Sequence, residues 1–112
     1  MRRLSLPSLS LCLCLCAATA AAECTHDPAP ATPDGSTATL EEMQAGQQAM
    51  KAYVVSSNAY LECLDKQGAA AGETETEEAR AARVASYNAA VDEQTAVAAR
   101  FNEAVKAFKA RN

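Results

Sequence analysis

Two stretches of the chain carry mostly apolar residues at alternating steps of three and four. The first is Leu40, Met43, Gln47, Met50, Val54, Ser57, Leu61 and Leu64; the second is Val84, Tyr87, Val91, Gln94, Ala98, Phe101, Val105 and Phe108. A repeat of about 3.5 residues keeps one face of a helix against a helical partner. The spacing predicts an all-α fold, an antiparallel two-helix coiled-coil hairpin with helices over about 40–67 and 75–111. Folding the chain between Ala70 and Ala71 sets Leu40 against Phe101, Met43 against Ala98, Met50 against Val91, Val54 against Tyr87 and Ser57 against Val84. The single glutamine of each stripe then meets the other, Gln47 with Gln94. A paired amide layer in an apolar seam disfavours every register that leaves one amide alone.

The expected helix ends follow from capping chemistry. Thr39 with Glu42 makes a capping box, Glu41 and Glu42 suit the positive end of the dipole, and Lys66 suits the negative end. Gly68 is the expected stop of the first helix, and Gly68 to Gly72 the connection. Thr74 or Thr76 caps the second helix, with Thr74 and Glu77 forming a second box. Lys106, Lys109 and Arg111 load its last turn and read as a solvated, dipole-matched end.

The two sides of the seam differ. Gln44, Lys51, Asn58 and Asp65, with Asn88, Thr95, Asn102 and Lys109, make a polar side. Gly46, Tyr53 and Tyr60, with Ala90, Val97 and Ala104, make an apolar one that a bare hairpin would leave open. Tyr53, Tyr60 and Val97 are therefore the candidate interaction flank, to be covered by the N-terminal segment, by another chain, or by both.

Ahead of the helices, residues 23–39 hold Pro28, Pro30 and Pro33. Prolines bar a helix and favour a polyproline II path, so an extended Pro-rich tail is expected, with a turn at Pro33-Asp34-Gly35. Residues 1–22 read as a cleaved signal peptide. Arg2 and Arg3 are basic, Leu4 to Cys16 is apolar, and Ala20 and Ala22 fill the small positions before a cut at Glu23. Cys12, Cys14 and Cys16 each follow Leu, and Cys24 follows Glu23, neither of which suits a lipid-anchored cysteine. The reading is therefore a periplasmic or secreted protein with no stable membrane span after cleavage.

Export changes what the cysteines mean. Cys24 and Cys63 are the two that remain, and an even count in an oxidising compartment reads as a disulfide. Losing Arg2 and Arg3 takes the formal charge from −4 to −6. No basic surface is left to neutralise phosphates, so nucleic acid is not an expected partner. Cys24, His26 and Asp27 lie close in sequence, but one imidazole and one oxidised sulfur do not make a zinc site. Met43 and Met50 sit on the seam and read as core. No phosphate loop, nucleophile elbow or catalytic triad can be assembled, and Glu73, Glu75, Glu77 and Glu78 read as a capping run. No metal, no cofactor and no enzymatic activity are expected.

The run Pro33-Asp34-Gly35-Ser36-Thr37-Ala38-Thr39, then Lys51-Ala52-Tyr53, Ala59-Tyr60-Leu61-Glu62-Cys63-Leu64, Tyr87-Asn88-Ala89-Ala90-Val91 and Phe101-Asn102 resemble a family of small exported α-helical proteins of Gram-negative bacteria with no assigned activity. The resemblance implies export and a helical fold and adds no functional residue. Two functions are consistent with these features. One is a structural or protein-interaction module, acting through an unknown protein partner or self-association. The other is a binding protein for a small ligand or metal, formed when two hairpins dimerise into a four-helix bundle.

Overall fold

A computed structural model describes residues 23–111. The expected signal peptide, with Arg2, Arg3 and the three leader cysteines, lies outside the described residues. Two long helices dominate. Helix α1 spans Leu40–Ala71 and helix α2 spans Glu77–Ala110, joined by a short 3₁₀ turn over Gly72–Thr74. They pack antiparallel as a hairpin.

Local chemistry explains the starts. Thr39 Oγ1 accepts from Glu42 N at 3.1 Å while Thr39 N donates to Glu42 Oε2 at 2.7 Å, which satisfies two donors at the α1 N-terminus. At α2 the cap is Thr76, whose hydroxyl accepts from Ala79 N at 3.1 Å. Thr74 belongs instead to the turn, where its hydroxyl donates to Ala71 O at 2.6 Å.

The end of α1 differs from the expectation. Gly68 does not stop the helix, which continues through Ala69, Ala70 and Ala71. Three alanines carry the highest helix propensity and outweigh one glycine. The stop is Gly72, at φ 51°, where only glycine adopts the backbone without strain. Gly68 has a packing role: a Cβ there would sit 2.5 Å from the Arg83 guanidinium carbon. That guanidinium is held in a fork by Glu75, at 2.9 Å from Nε and 2.8 Å from Nη2, so the turn is pinned to both helices.

This extra turn corrects the expected pairing. Met43 clusters with Ala104, and Gly46 faces Phe101. Met43 therefore meets a residue six positions beyond its expected partner Ala98, a shift of roughly 9 Å along α2. Moving the fold point by three residues accounts for the shift of six at this end of the hairpin, and nearer the turn the shift is larger. Gln47 and Gln94 do not meet. Gln94 donates from Nε2 to Asn58 Oδ1 at 3.0 Å, and Gln47 is exposed.

The helices are also rotated. The buried positions are Met43, Tyr53, Ser57 and Leu64 on α1 and Ala90, Val97 and Ala104 on α2. Most of these belong to the apolar flank rather than to the centre of the heptad stripe. Small residues at this centre let the backbones approach closely. Heptad residues are displaced to the rim, where Leu40 is 60% exposed, Val84 41% and Val91 39%.

Candidate functional site

The hairpin has two apolar faces, and the chain treats them differently. One is occupied by residues 23–39. Cys24 is bonded to Cys63, with the two Cα atoms 5.7 Å apart. Asp27 N donates to Ser56 Oγ at 2.8 Å, about two turns back along α1 from Cys63. His26 donates from Nδ1 to the Asp27 carbonyl oxygen at 2.7 Å and lies edge-on to the Tyr60 ring, with centroids 4.7 Å apart. Pro33 then rests on Gly46, where an added Cβ would lie 2.8 Å from the proline Cγ.

At the far end the segment meets α2. Gly35 is packed so closely on Ala104 that a Cβ would overlap its carbonyl oxygen. Asp34 builds the turn that makes this approach possible. Its carboxylate accepts from Ser36 N at 2.9 Å and from Ser36 Oγ at 2.6 Å, and its carbonyl oxygen accepts from Ala38 N at 2.7 Å. The Ser36 bonds hold the Asp34 carboxyl below its usual range. Arg111 closes the junction, donating from Nη1 to Gly35 O at 3.0 Å and to Ala38 O at 2.7 Å, with its guanidinium 5.4 Å from the Phe108 ring centre. The basic last turn is therefore divided. Arg111 is built into the fold, whereas Lys106 makes only an exposed pair with Glu103.

Beneath this segment lies the candidate flank. Tyr53 and Val97 are each 2% exposed, and Tyr60 is half-buried beside His26. The Tyr53 hydroxyl donates to Glu93 Oε1 at 2.6 Å, and burial, reinforced by that carboxylate, pushes its pKa up to about 12. Glu93 gave no periodic signal in the sequence, because it lies off both stripes. Cys24 is in a disulfide, which removes it as a thiolate ligand. Among the described residues, no group of three or more His, Cys, Asp or Glu side chains converges on a common point.

The opposite face is open. Met50, Val54 and Val55 border one apolar depression, and Leu40, Met43, Val105 and Phe108 border another. The two share Gln47 and Phe101, so they form one continuous surface across α1 and α2. Val84 and Val91 extend the heptad spacing along α2, and polar Gln44, Lys51, Asn88 and Lys109 are exposed beside it. An apolar strip rimmed by polar residues has the anatomy of a protein interface. Among the described residues, no helix is long and apolar enough to cross a membrane. No family model matches the chain, and neither the curated proteins nor the solved structures contain a match.

Proposed function

We propose that this protein is an exported, periplasmic structural or protein-interaction module, a stapled helical hairpin that presents one face to a partner and performs no chemistry of its own. The observation that carries the reading is the open strip, heptad-spaced and apolar, left uncovered while the other face is closed. The leader-like residues 1–22 and the Cys24–Cys63 bond support export to an oxidising compartment. The resemblance to small exported helical proteins supports the same compartment.

In this reading residues 23–39 act as an extended Pro-rich strap. From Cys24 to Pro33 is nine residues, and their contacts on α1 run from Cys63 to Gly46, which is 17 helical residues or roughly 26 Å. That is about 2.8 Å per residue, close to the 3.1 Å of polyproline II. The strap seals one face, which directs any partner to the other.

The test is photocrosslinking in the native host. A photoreactive residue at Val91 should capture a protein, and one at Glu103, exposed and outside the strip, should not. Equal capture at both positions, or none at Val91, would remove the strip as the functional surface.

A further inference from the structure

The open strip has an apolar floor and a border of one charge sign. Leu40, Met50 and Val54 of α1 and Phe101, Val105 and Phe108 of α2 border the two depressions, all at heptad positions. A groove with that spacing on both walls suits a third helix, whose own apolar residues fill it as knobs. Lys51 and Lys109 are the charged residues on its border, and no aspartate or glutamate lines either depression. Composition alone would favour the opposite, since Asp and Glu outnumber Lys and Arg by 14 to 10. Both lysines are exposed, and among the described residues neither ammonium pairs with a carboxylate. Lys66 and Lys106, by contrast, each have one.

The positions of the two charges narrow the occupant. Lys51 stands on the α1 side of the groove and Lys109 on the α2 side. Met43 lies level with Ala104 and Gly46 with Phe101, which sets Lys51 level with Ala96, 13 residues short of Lys109. The two positions are therefore roughly 20 Å apart along the groove, one at each end of the apolar floor and on opposite sides of it. Two heptads of helix cover about 21 Å, and the e and g positions flank the apolar seam on its two sides. A single-headed amphiphile presents its charge at one end only.

We infer that the groove receives an acidic amphipathic helix of another protein. Its heptad-spaced apolar residues lie on the floor, and an aspartate or glutamate on each flank, about two heptads apart, faces Lys51 and Lys109. This rests on the interaction-module reading and specifies its partner. An exposed ion pair adds little affinity, so the floor holds the helix and the lysines select it. From Leu40 to Val54 the floor is roughly 21 Å long, which makes the contact a short one of the transient class.

The experiment titrates the exported, oxidised chain with two synthetic three-heptad peptides at low salt, read by fluorescence anisotropy. Both carry leucine at a and d; one has glutamate at every e and g, the other lysine. The glutamate peptide should bind at least about tenfold more tightly. Lys51→Gln and Lys109→Gln should each cut that preference about two- to fivefold, and Lys51→Glu should bring it close to one, with helicity unchanged. Lys66→Gln, the same charge change outside the groove, should leave it intact. Equal affinity for both peptides, or a preference that survives the substitutions at Lys51 and Lys109, overturns the acidic partner. Binding of phosphatidylglycerol vesicles in place of the glutamate peptide, or a dimer of the chain that excludes it, gives the groove another occupant and overturns the inference likewise. If neither peptide binds but a photoreactive residue at Val91 still captures a protein in the native host, the interaction-module reading stands without this inference; if Val91 also captures nothing, both fall.

Discussion

The Tyr53 hydroxyl donates to Glu93 Oε1 at 2.6 Å across the hairpin, at a sequence separation of 40 residues. The bond joins α1 to α2 beside the strap, and Tyr53 is 2% exposed. Tyr53→Phe keeps the ring and removes the donor, leaving Glu93 half-buried without it. The cost should be on the order of 1–3 kcal/mol in urea unfolding at neutral pH.

The same pair sets an alkaline limit. Tyr53 holds its proton in the folded chain up to about 12, against an ordinary value of 10.0. Between these values the folded state binds a proton that the unfolded state has lost. Its stabilisation is therefore fully present below about pH 10 and declines as pH rises towards 12. Tyrosinate absorbance should show a late step that Tyr53→Phe abolishes, and the variant's stability should depend less on pH in that window.

Reduction should release the strap. The Cys24–Cys63 bond closes a loop of 39 residues, worth about 4 kcal/mol on the chain-entropy model. Cys63→Ser should lower the melting temperature, expose residues 23–39 to proteolysis and uncover Tyr53, Tyr60 and Val97. Intact mass after alkylation, with and without reductant, and limited digestion would check this. A variant that resists digestion like the parent would mean the strap holds without the bond.

Gly35 is the tightest contact between strap and hairpin. A Cβ would overlap the Ala104 backbone, which cannot rotate away as a side chain can. Gly35→Ala should therefore displace the Asp34 turn and break the Arg111 contacts with Gly35 O and Ala38 O, costing about 1–3 kcal/mol. Arg111→Gln should lose part of the same energy, and the two changes should be strongly non-additive in denaturant melts because they act on one junction.

The register has its own test. Asn58 and Gln94 share a 3.0 Å bond and Gln47 does not take part. A double-mutant cycle between Asn58→Ala and Gln94→Leu should give a coupling of about 0.5–1 kcal/mol. The cycle between Gln47→Leu and Gln94→Leu should be additive within about 0.3–0.5 kcal/mol. Coupling in the second cycle alone would restore the shorter first helix and its register.

Much of this fold is written in residues a few positions apart. The Thr39 and Glu42 box, the Thr76 cap and the helical periodicity depend on hydrogen bonds and side chains within one or two turns, so the sequence by itself determines two helices and where they begin. The pair of cysteines outside residues 1–22 is likewise evident from a count. Register and rotation are not local. Whether α1 stops at Gly68 or Gly72 is a balance of about 1 kcal/mol per glycine against alanine, yet the difference changes which residues meet along both helices. Which stripe is buried depended on competition between two apolar faces of similar character. The strap, tethered at Cys63 and wedged at Gly46 and Ala104, closes the flank of Tyr53 and Val97. Glu93 and Arg111 acquired their partners only then, because each bonds to a group at least 40 residues away that tertiary packing alone brings near.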